Sequence, residues 1–342
     1  MSLRNLNATI KIPKLLKDNL KNKKINQIYH LFEKSLKIDQ NFVVGVSGGP
    51  DSLALAFLAK IYSVKKKLSV KFFIVDHKLR SGSSKEAKLV KKVLKKFFIN
   101  AEILTWHGKK PRSNIQSLAR KKRYELLISK CKNLKINNLL LAHHQDDLFE
   151  NFFIRILRGS GLKGLISLSK KTKLNNINIL RPLLELKKDN LLFVSKNVFN
   201  FHINDPSNKD DKFQRIRIRK LLSNLENEGL DKNKFINTIK NLKCSDETIT
   251  FYVENNLKKN TFFLEKKKEI ILNSDFFAQP YEVVFRSLSV MIKNIGNKYY
   301  SARGRKLENI ITEIKKEIPF KATLGGCIIK RVKQTIIISK EY

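Results

Sequence analysis

The sequence predicts an α/β fold, in which a parallel-sheet nucleotide-binding domain is followed by a smaller, mostly helical α+β domain. Three observations predict it. Short apolar runs alternate with helical segments through the first half of the chain, which is typical of a parallel sheet covered by helices. A glycine-rich turn joins the first apolar run to the first helix, as in many phosphate-binding folds. Beyond residue 205, longer helical segments replace the alternation.

The alternation of strands and helices runs from residue 42 to residue 157. Apolar, β-branched runs predict buried strands at Phe42 to Val46, Val70 to Val75, Ala101 to Thr105 and Leu139 to Ala142. Helices are predicted over Ser52 to Tyr62, over Lys85 to Phe98, over Ser113 to Lys130 with Ser113 as N-cap, and after the fourth strand through Leu157. Ligands of such sheets bind beyond the carboxyl ends of the strands, so the residues just after each strand are the first candidates.

The second domain begins after a polar turn cluster, Asp205 to Asp211. Helical segments are predicted over Phe213 to Asn256, Tyr281 to Ile295 and Lys306 to Lys316. One hairpin is predicted from Phe262 to Leu264 and Ile270 to Leu272, and a terminal one from Thr323 to Lys330 and Gln334 to Ser339. We therefore predict two domains, residues 1–220 and residues 221–342.

The charge of the chain predicts an anionic partner. Lys and Arg number 70 against 30 Asp and Glu, a formal charge of +40. Residues 1–220 carry +32 of it and residues 221–342 carry +8. So large a charge opposes compaction by self-repulsion, and nucleic acid is the first candidate to balance it, an acidic membrane surface the second. Because 55 of the bases are Lys and only 15 are Arg, each Arg is informative.

Several classes are excluded by what the sequence lacks. It has no apolar run long enough for a transmembrane helix, and its first twenty residues lack the apolar region of a secretory signal. Cys131, Cys244 and Cys327 are far apart and show no zinc spacing, so neither a disulfide framework nor a structural metal is expected. These features predict a cytoplasmic protein without a membrane partner.

The segment VVGVSGGPDSLAL, Val43 to Leu55, predicts a phosphate site. Its glycines allow a sharp turn and close approach of the backbone, and the helix that follows offers free N–H groups. The predicted ligand-binding residues of this loop are Ser47, Gly48, Gly49, Pro50, Asp51 and Ser52. Asp51 adds negative charge, which would repel a phosphate unless a bound Mg²⁺ lay between them. The spacing is neither that of a Walker loop nor GxGxxG; the alternative is a capped Gly-Pro turn.

Acidic and basic side chains beyond the other strands supply further candidates. Asp147 and Glu150 follow the fourth strand at i, i+3 spacing, with helix capping as the alternative. Asp76 and His77 end the second strand. Arginines occur in three groups that could bind phosphate: Arg120 with Arg123, Arg155 with Arg158, and Arg215, Arg217 and Arg219. The last three would spread around a helix but face one way in an extended segment.

Several of these segments together resemble one known family. The Ser47–Ser52 loop resembles the SGGxDS loop of the N-type ATP pyrophosphatases, whose PP-loop ATPase domain is Rossmann-like. The further segments are VDHKLR (Val75 to Arg80), LARKKRYELL (Leu118 to Leu127), AHHQDDLFEN (Ala142 to Asn151), RILRGSGLKGL (Arg155 to Leu165), RPLL (Arg181 to Leu184) and DPSN (Asp205 to Asn208). In this order they resemble the tRNA(Ile)-lysidine synthetases. The resemblance covers most of residues 40–220 and continues more weakly around Tyr300 to Arg303 and Gly325-Gly326.

Two departures from the family pattern are visible. The family commonly has Glu-Thr where this chain has Glu150-Asn151, and Asn between the arginines that here alternate with Ile216 and Ile218. Neither departure removes a carboxylate or an arginine.

The resemblance implies a ligase that uses ATP and Mg²⁺ to attach L-lysine to C2 of the wobble cytidine of the isoleucine tRNA with a CAU anticodon, through an adenylated cytidine. It implies Asp51, Asp147, Glu150 and Arg120 as catalytic residues, with Asp51 and Asp147 as metal ligands. Asp76 and His77 would join the loop in binding ATP. The tRNA contacts would be Arg123, Arg155, Arg158, Arg215, Arg217 and Arg219. No DNA partner is expected, and the oligomeric state stays open, a homodimer being one option.

Three alternatives compete with this hypothesis. A tRNA thiolase of the same superfamily generally needs cysteines to carry sulfur or an iron–sulfur cluster, and the three here are scattered. A small-molecule ligase does not need so broad a basic surface. A non-catalytic RNA-binding protein would not need the intact loop together with Asp147 and Glu150.

Overall fold

The computed structural model describes residues 13–79, 82–108, 115–204, 211–265, 269–297, 302, 304–316 and 318–341. The chain forms two compact units, Met1–Leu230 and Asp231–Tyr342. Ser113, Arg80, the DPSN segment, Tyr300 and Arg303 lie outside the described residues.

The first unit is built on a six-stranded sheet with the order β3-β2-β1-β4-β6-β5. Its strands are β1 (Phe42–Val46), β2 (Val70–Asp76), β3 (Ala101–Thr105), β4 (Asn138–Leu140), β5 (Lys171–Leu174) and β6 (Ile177–Leu180). All neighbours pair in parallel except β5, which runs antiparallel at the edge. Phe42 of β1 pairs with both Val70 and Asn138, so the carboxyl ends of β1, β2 and β4 meet at one edge. The predicted α/β fold with a parallel sheet is confirmed.

Nine described helices belong to this unit. They are α1 (Lys14–Asn19), α2 (Lys23–Leu36), α3 (Pro50–Lys65), α4 (Ser83–Lys96), α5 (Ile115–Asn133), α6 (Gln145–Ile156), α7 (Leu162–Leu165), α8 (Lys188–Phe199) and α9 (Gln214–Asn227). The predicted domain boundary at residue 220 falls inside α9. The compact unit extends to Leu230 because α9 packs against α6.

Apolar cores lie on both faces of this sheet, since successive side chains of a strand point to opposite sides. Val44 belongs to the core that also contains Phe57 of α3 and Leu191 of α8. Its neighbour Val43 belongs to the opposite core, with Leu127 of α5. Helix α3 is buried from Ser52 to Val64 apart from Lys60, because it packs against both β1 and α8. That burial fixes the helix whose first turn carries the glycine-rich loop.

The second unit contains a five-stranded antiparallel sheet with the order β7-β8-β11-β10-β9. Its strands are β7 (Thr261–Leu264), β8 (Glu269–Leu272), β9 (Lys321–Leu324), β10 (Cys327–Val332) and β11 (Thr335–Lys340). Its described helices are α10 (Lys232–Asn260), α11 (Ser274–Phe277), α12 (Tyr281–Ile295) and α13 (Gly304–Lys315). The smaller α+β unit is as predicted, with one correction: the strand predicted from Thr323 to Lys330 is two strands. The Gly325-Gly326 turn, with φ of +65° and +79°, separates β9 from β10.

Within the described ranges, none of the helices combines the length and the apolar character that crossing a membrane requires.

Candidate active site

The glycine-rich loop occupies the three residues between β1 and α3 and is held together by one buried hydroxyl. Ser52 Oγ accepts hydrogen bonds from the backbone N–H groups of Ser47 and Gly48, both at 3.1 Å. It also donates to the carbonyl of Gly49 at 3.0 Å. Ser52 therefore shapes the loop from beneath, whereas Ser47 is exposed at its surface.

Gly48 is a position that only glycine fits. Its φ is +87°, a conformation that L side chains rarely adopt. A Cβ there would lie 2.5 Å from Val90 Cγ2 and 3.1 Å from Ile203 Cγ1. The Gly48 carbonyl accepts a hydrogen bond from the N–H of Ile203 at 2.9 Å. The loop is thus packed against α4 and the segment after α8, and Pro50 starts α3 immediately beside it.

The first helical turns of α3 and α6 bring two carboxylates to one histidine. His144 Nε2 lies 3.6 Å from Asp51 Oδ2 and 3.7 Å from Asp147 Oδ2. Burial raises the pKa of Asp51, His144 opposes that effect, and the charge of Asp147 adds to it. Asp51 Oδ1 is buried and, among the described residues, has no hydrogen-bond partner.

Asp147 also caps its own helix. Its Oδ2 accepts the backbone N–H of His144 at 3.0 Å, and His144 Nδ1 accepts the N–H of Asp146 at 3.3 Å. Burial acts to raise the pKa of Asp147, but His144 and His143 outweigh it, and the pKa is lowered. The capping alternative is therefore correct for Asp147 Oδ2, and the same oxygen is the one that lies 3.7 Å from the His144 ring.

Glu150 is the most deeply buried acid of the site, with only 1 % of its side chain exposed. Its Oε1 accepts a hydrogen bond from Arg219 Nε at 2.5 Å, and its Oε2 lies 3.9 Å from Arg215 Nε. Burial raises the pKa of Glu150, and Arg219 opposes the rise. Residues 215–219 lie within helix α9, so the alternative of an extended segment is wrong.

The second strand ends in two residues of different character. Asp76 is buried and accepts hydrogen bonds from Lys78 N–H, Ser83 Oγ and Ser84 Oγ, so it ties the strand end to the start of α4. His77 has both ring nitrogens buried and, in the described part of the chain, unpaired. Burial, with a smaller effect from Arg123, lowers the pKa of His77 to about 4. The ring is therefore neutral at pH 7.

The arginine pair on α5 divides between two environments. Arg120 is half-buried, and its guanidinium lies over the ring of Tyr124, 5.4 Å from the centroid. Arg123 is exposed. Burial is the main cause that lowers the pKa of His143, and Arg120 adds to it while Asp147 opposes it. The charge of Arg120 therefore acts on His143, which precedes α6.

Three other predicted arginines lie at or near the surface. Arg158 is exposed and donates to Gln214 Oε1 at 3.2 Å, while Arg155 is half-buried in the last turn of α6. Arg217 is exposed, and its Nη1 donates to the carbonyls of Asp211 and Lys212 at 2.8 and 3.0 Å. All three remain candidates for phosphate contacts.

Two residues of the site were not assigned a role from sequence. His144 bridges Asp51 and Asp147, and its position directly after the fourth strand was a signal for it. Arg181 directly follows β6; it is buried, and its Nη1 donates to the Ser169 carbonyl at 2.9 Å and to Thr172 Oγ1 at 2.6 Å. The RPLL segment contained Arg181, but nothing local in the sequence indicates its partners.

A preformed metal cage is absent from the described residues, where no group of three or more His, Cys, Asp and Glu side chains could enclose an ion. Mg²⁺, however, is usually bound through one or two carboxylates together with substrate phosphates. The unpaired, buried Oδ1 of Asp51 and the neighbouring carboxylate of Asp147 fit that mode.

Comparisons with known proteins agree with this architecture. The family of the PP-loop domain matches residues 20–226. The chain is similar to the tRNA(Ile)-lysidine synthase of Wolbachia pipientis wMel, with 35 % identity over 301 residues, 87 % of this chain and 70 % of that protein. It is also similar to the tRNA(Ile)-lysidine synthase of Orientia tsutsugamushi (strain Boryong), with 33 % identity over 323 residues, 91 % of this chain and 71 % of that protein.

Among solved structures, the fold is similar to a U34-tRNA thiolase from Methanococcus maripaludis, with a TM-score of 0.55 and 18 % identity. That match covers 64 % of this chain and 78 % of the thiolase. The comparison supports the α/β fold.

Proposed function

The chain belongs to the tRNA(Ile)-lysidine synthase family, and from this we propose that it uses ATP to attach lysine to the wobble cytidine of an isoleucine tRNA with a CAU anticodon. Membership makes it an enzyme of tRNA modification. The observation that supports the finer proposal best is the meeting of the glycine-rich loop with Asp51, Asp147 and Glu150 at one edge of the sheet.

The proposed chemistry has two steps. The oxygen on C2 of cytidine leaves poorly, so it first attacks the α-phosphate of ATP, and pyrophosphate departs. The amine of lysine then bonds to C2, the C2–O bond breaks, AMP leaves, and the amine gives up a proton. The first step needs positive charge around the phosphates, and the second needs an acceptor for that proton.

The loop supplies the phosphate site. Pro50 has no N–H, so the N–H groups of Asp51 and Ser52 are the ones without an acceptor inside α3, and they lie at the positive end of the helix dipole, which favours bound anions. Ser47 is exposed, and its hydroxyl donates to Ser52 Oγ at 3.1 Å in the loop; on binding of ATP it would exchange this bond for one to a phosphate oxygen. His77 directly follows β2, is neutral and is unpaired among the described side chains, which supports the proposal that it hydrogen-bonds the nucleoside.

Asp51 and Asp147 are the residues that would hold Mg²⁺. When bound, the ion would neutralise phosphate charge in the transition state of the first step. Asp51 offers an unpaired oxygen, and His144 orients both carboxylates. Without a cation, two buried carboxylates repel each other, which agrees with the raised pKa of Asp51 that burial, with Asp147, produces.

Glu150 is the proposed group for the second step. One of its oxygens is held by Arg219, and the other accepts no hydrogen bond from any described residue. That free oxygen can accept a hydrogen bond from the lysine amine and orient it or take its proton. Arg120, whose charge acts on His143, is proposed to supply a cation to the reacting phosphate.

The basic surface is proposed to bind tRNA. The first 220 residues carry +32 of the charge, and Arg123 and Arg158 are exposed on the same unit as the loop. Phosphate contacts dominate nonspecific RNA affinity and position the substrate.

Two observations weigh against the alternatives. Cys131 is the only cysteine between residues 1 and 230 in the sequence; burial raises its pKa to about 12, so it does not form the thiolate that sulfur transfer needs. A non-catalytic RNA-binding protein would not need a loop whose packing forces glycine at residue 48, or buried acids beside it.

The experiment for this proposal is ATP–pyrophosphate exchange with and without isoleucine tRNA. We expect exchange that depends on the tRNA and stops when lysine is added, because lysine consumes the adenylate. Exchange that ignores tRNA would favour a small-molecule ligase, and no exchange would favour a binding protein.

A further inference from the structure

Helix α9 presents two of its three arginines to one buried carboxylate. Arg215 and Arg219 are four residues apart, so they lie on the same side of the helix. Arg219 Nε donates to one oxygen of Glu150 at 2.5 Å, and Arg215 Nε lies 3.9 Å from the other. Arg217 is two residues from each, on the opposite side, and reaches back to backbone carbonyls. The three arginines therefore do not form a common phosphate track.

Glu150 depends on this contact. A carboxylate with 1 % of its side chain exposed has lost its hydration, and such a charge is stable only when it is paired and hydrogen-bonded. The described structure gives its Oε1 one strong donor, Arg219, and gives its Oε2 none. Burial raises the pKa of Glu150, and Arg219 is the largest influence in the opposite direction.

The contact also defines which oxygen faces the reaction. Because Arg219 uses its Nε to hold Oε1, the rotation of the carboxylate is fixed and Oε2 is left as the acceptor. The helix itself is anchored by Ile216, Ile218 and Leu222, which are buried, so the arginine is presented from a rigid element.

We propose that Arg219, assisted by Arg215, is a positioning residue that holds Glu150 for attack by lysine, and that it is not a tRNA contact. This inference rests on the proposed function, in which Glu150 acts in the second step only. It separates Arg219 from Arg217, whose side chain is exposed on the other side of α9.

The two steps can be measured separately with the full chain, an isoleucine tRNA transcript, ATP and lysine. Pyrophosphate release without lysine reports the first step, lysine incorporation into tRNA at saturating ATP reports the second, and filter binding gives the tRNA Kd. The variants are Arg219→Gln, Arg219→Lys and the matched control Lys220→Gln, which removes a positive charge from the same helix. Lys220 pairs with Asp211 at the surface.

We expect Arg219→Gln to slow lysine incorporation at least about tenfold, while pyrophosphate release and tRNA Kd stay within about twofold of the wild type. Arg219→Lys should recover part of the incorporation rate, because it keeps the charge but not the planar Nε contact. Lys220→Gln should match the wild type in all three measurements.

Other results would overturn the inference. If Arg219→Gln weakened tRNA binding about tenfold and left incorporation normal at saturating tRNA, Arg219 would be an RNA contact. An equal loss in both steps would make its role merely structural. Should Arg219→Gln not fold, an Arg219→Lys variant equal to the wild type in both steps would refute the proposal. If the wild-type chain itself incorporated no lysine, the proposed function would be wrong. If the wild type incorporated lysine and only the Arg219 variants departed from expectation, this inference alone would be wrong.

Discussion

Replacing Gly48 by alanine tests whether the glycine-rich loop is built as the structure describes. The new Cβ meets two obstacles: a φ of +87° and contacts of 2.5 Å with Val90 and 3.1 Å with Ile203. The left-handed conformation costs an L residue about 1–2 kcal/mol. Forcing an extra methyl group into a packed region costs about 1–3 kcal/mol more. We therefore expect the free energy of unfolding to fall by about 2–5 kcal/mol.

Gly82→Ala is the matched control. Its φ is +90°, but a Cβ there would have no described atom within 4 Å, so only the backbone strain of about 1–2 kcal/mol applies. Gly82 starts α4 and lies outside the loop. The difference between the two variants therefore isolates the packing of the loop from its backbone conformation.

The assay combines urea unfolding with ATP kinetics for both variants. A shifted loop moves the N–H groups that face the phosphates, and a hydrogen bond to a charged group contributes about 1.5–3 kcal/mol. We therefore expect Gly48→Ala to raise KM for ATP at least about tenfold, and Gly82→Ala to leave it unchanged. If Gly48→Ala were no less stable than Gly82→Ala and bound ATP normally, the packing of the loop against Val90 and Ile203 would be wrong.

Three further predictions concern charge. Asp51→Asn should lower pyrophosphate exchange at least about 100-fold and leave the tRNA Kd within about twofold in filter binding, because it removes the proposed metal ligand without touching the basic surface; equal loss of both would contradict its role. Arg158→Gln should make the slope of log Kd against log salt shallower by about 1, as expected for one phosphate contact, and an unchanged slope would remove it from the tRNA surface. Because burial holds the pKa of His77 near 4 in the folded chain, against 6.5 when exposed, the folded state binds fewer protons between these values, and stability is lost as pH falls from about 6.5 to 4. In urea unfolding, His77→Gln should therefore lose less stability than the wild type between pH 7 and pH 5, and an identical loss would show that His77 is not buried as described.

The central strands of the first unit, such as β1 and β4, were predictable because they are buried on both faces. The run Phe42–Val46 is wholly apolar, and Ala101–Thr105 has Glu102 as its one charged residue; both are strands with the predicted bounds. By contrast, β5 has the sequence Lys-Thr-Lys-Leu, with three of its four residues exposed. This edge strand has no apolar pattern because it is held by backbone hydrogen bonds to β6 and not by burial of its side chains.

The residue types of the site were predictable, but their partners were not. Strand ends directed attention to Asp51, Asp76 and Asp147, since ligands bind there in parallel sheets. The sequence did not indicate that Asp76 accepts hydrogen bonds from Ser83 and Ser84, or that Glu150 pairs with Arg219, 69 residues later in the chain. Those contacts join separate elements, and no local periodicity encodes them.

The central claim is that this chain joins lysine to a cytidine of isoleucine tRNA with the help of ATP. Its most direct test is mass spectrometry of the nucleosides from tRNA incubated with the chain, ATP and isotopically labelled lysine. The predicted result is a cytidine that carries the labelled lysine in place of its C2 oxygen, formed only when ATP is present. Unmodified cytidine throughout, or a nucleoside that has gained sulfur, would contradict it.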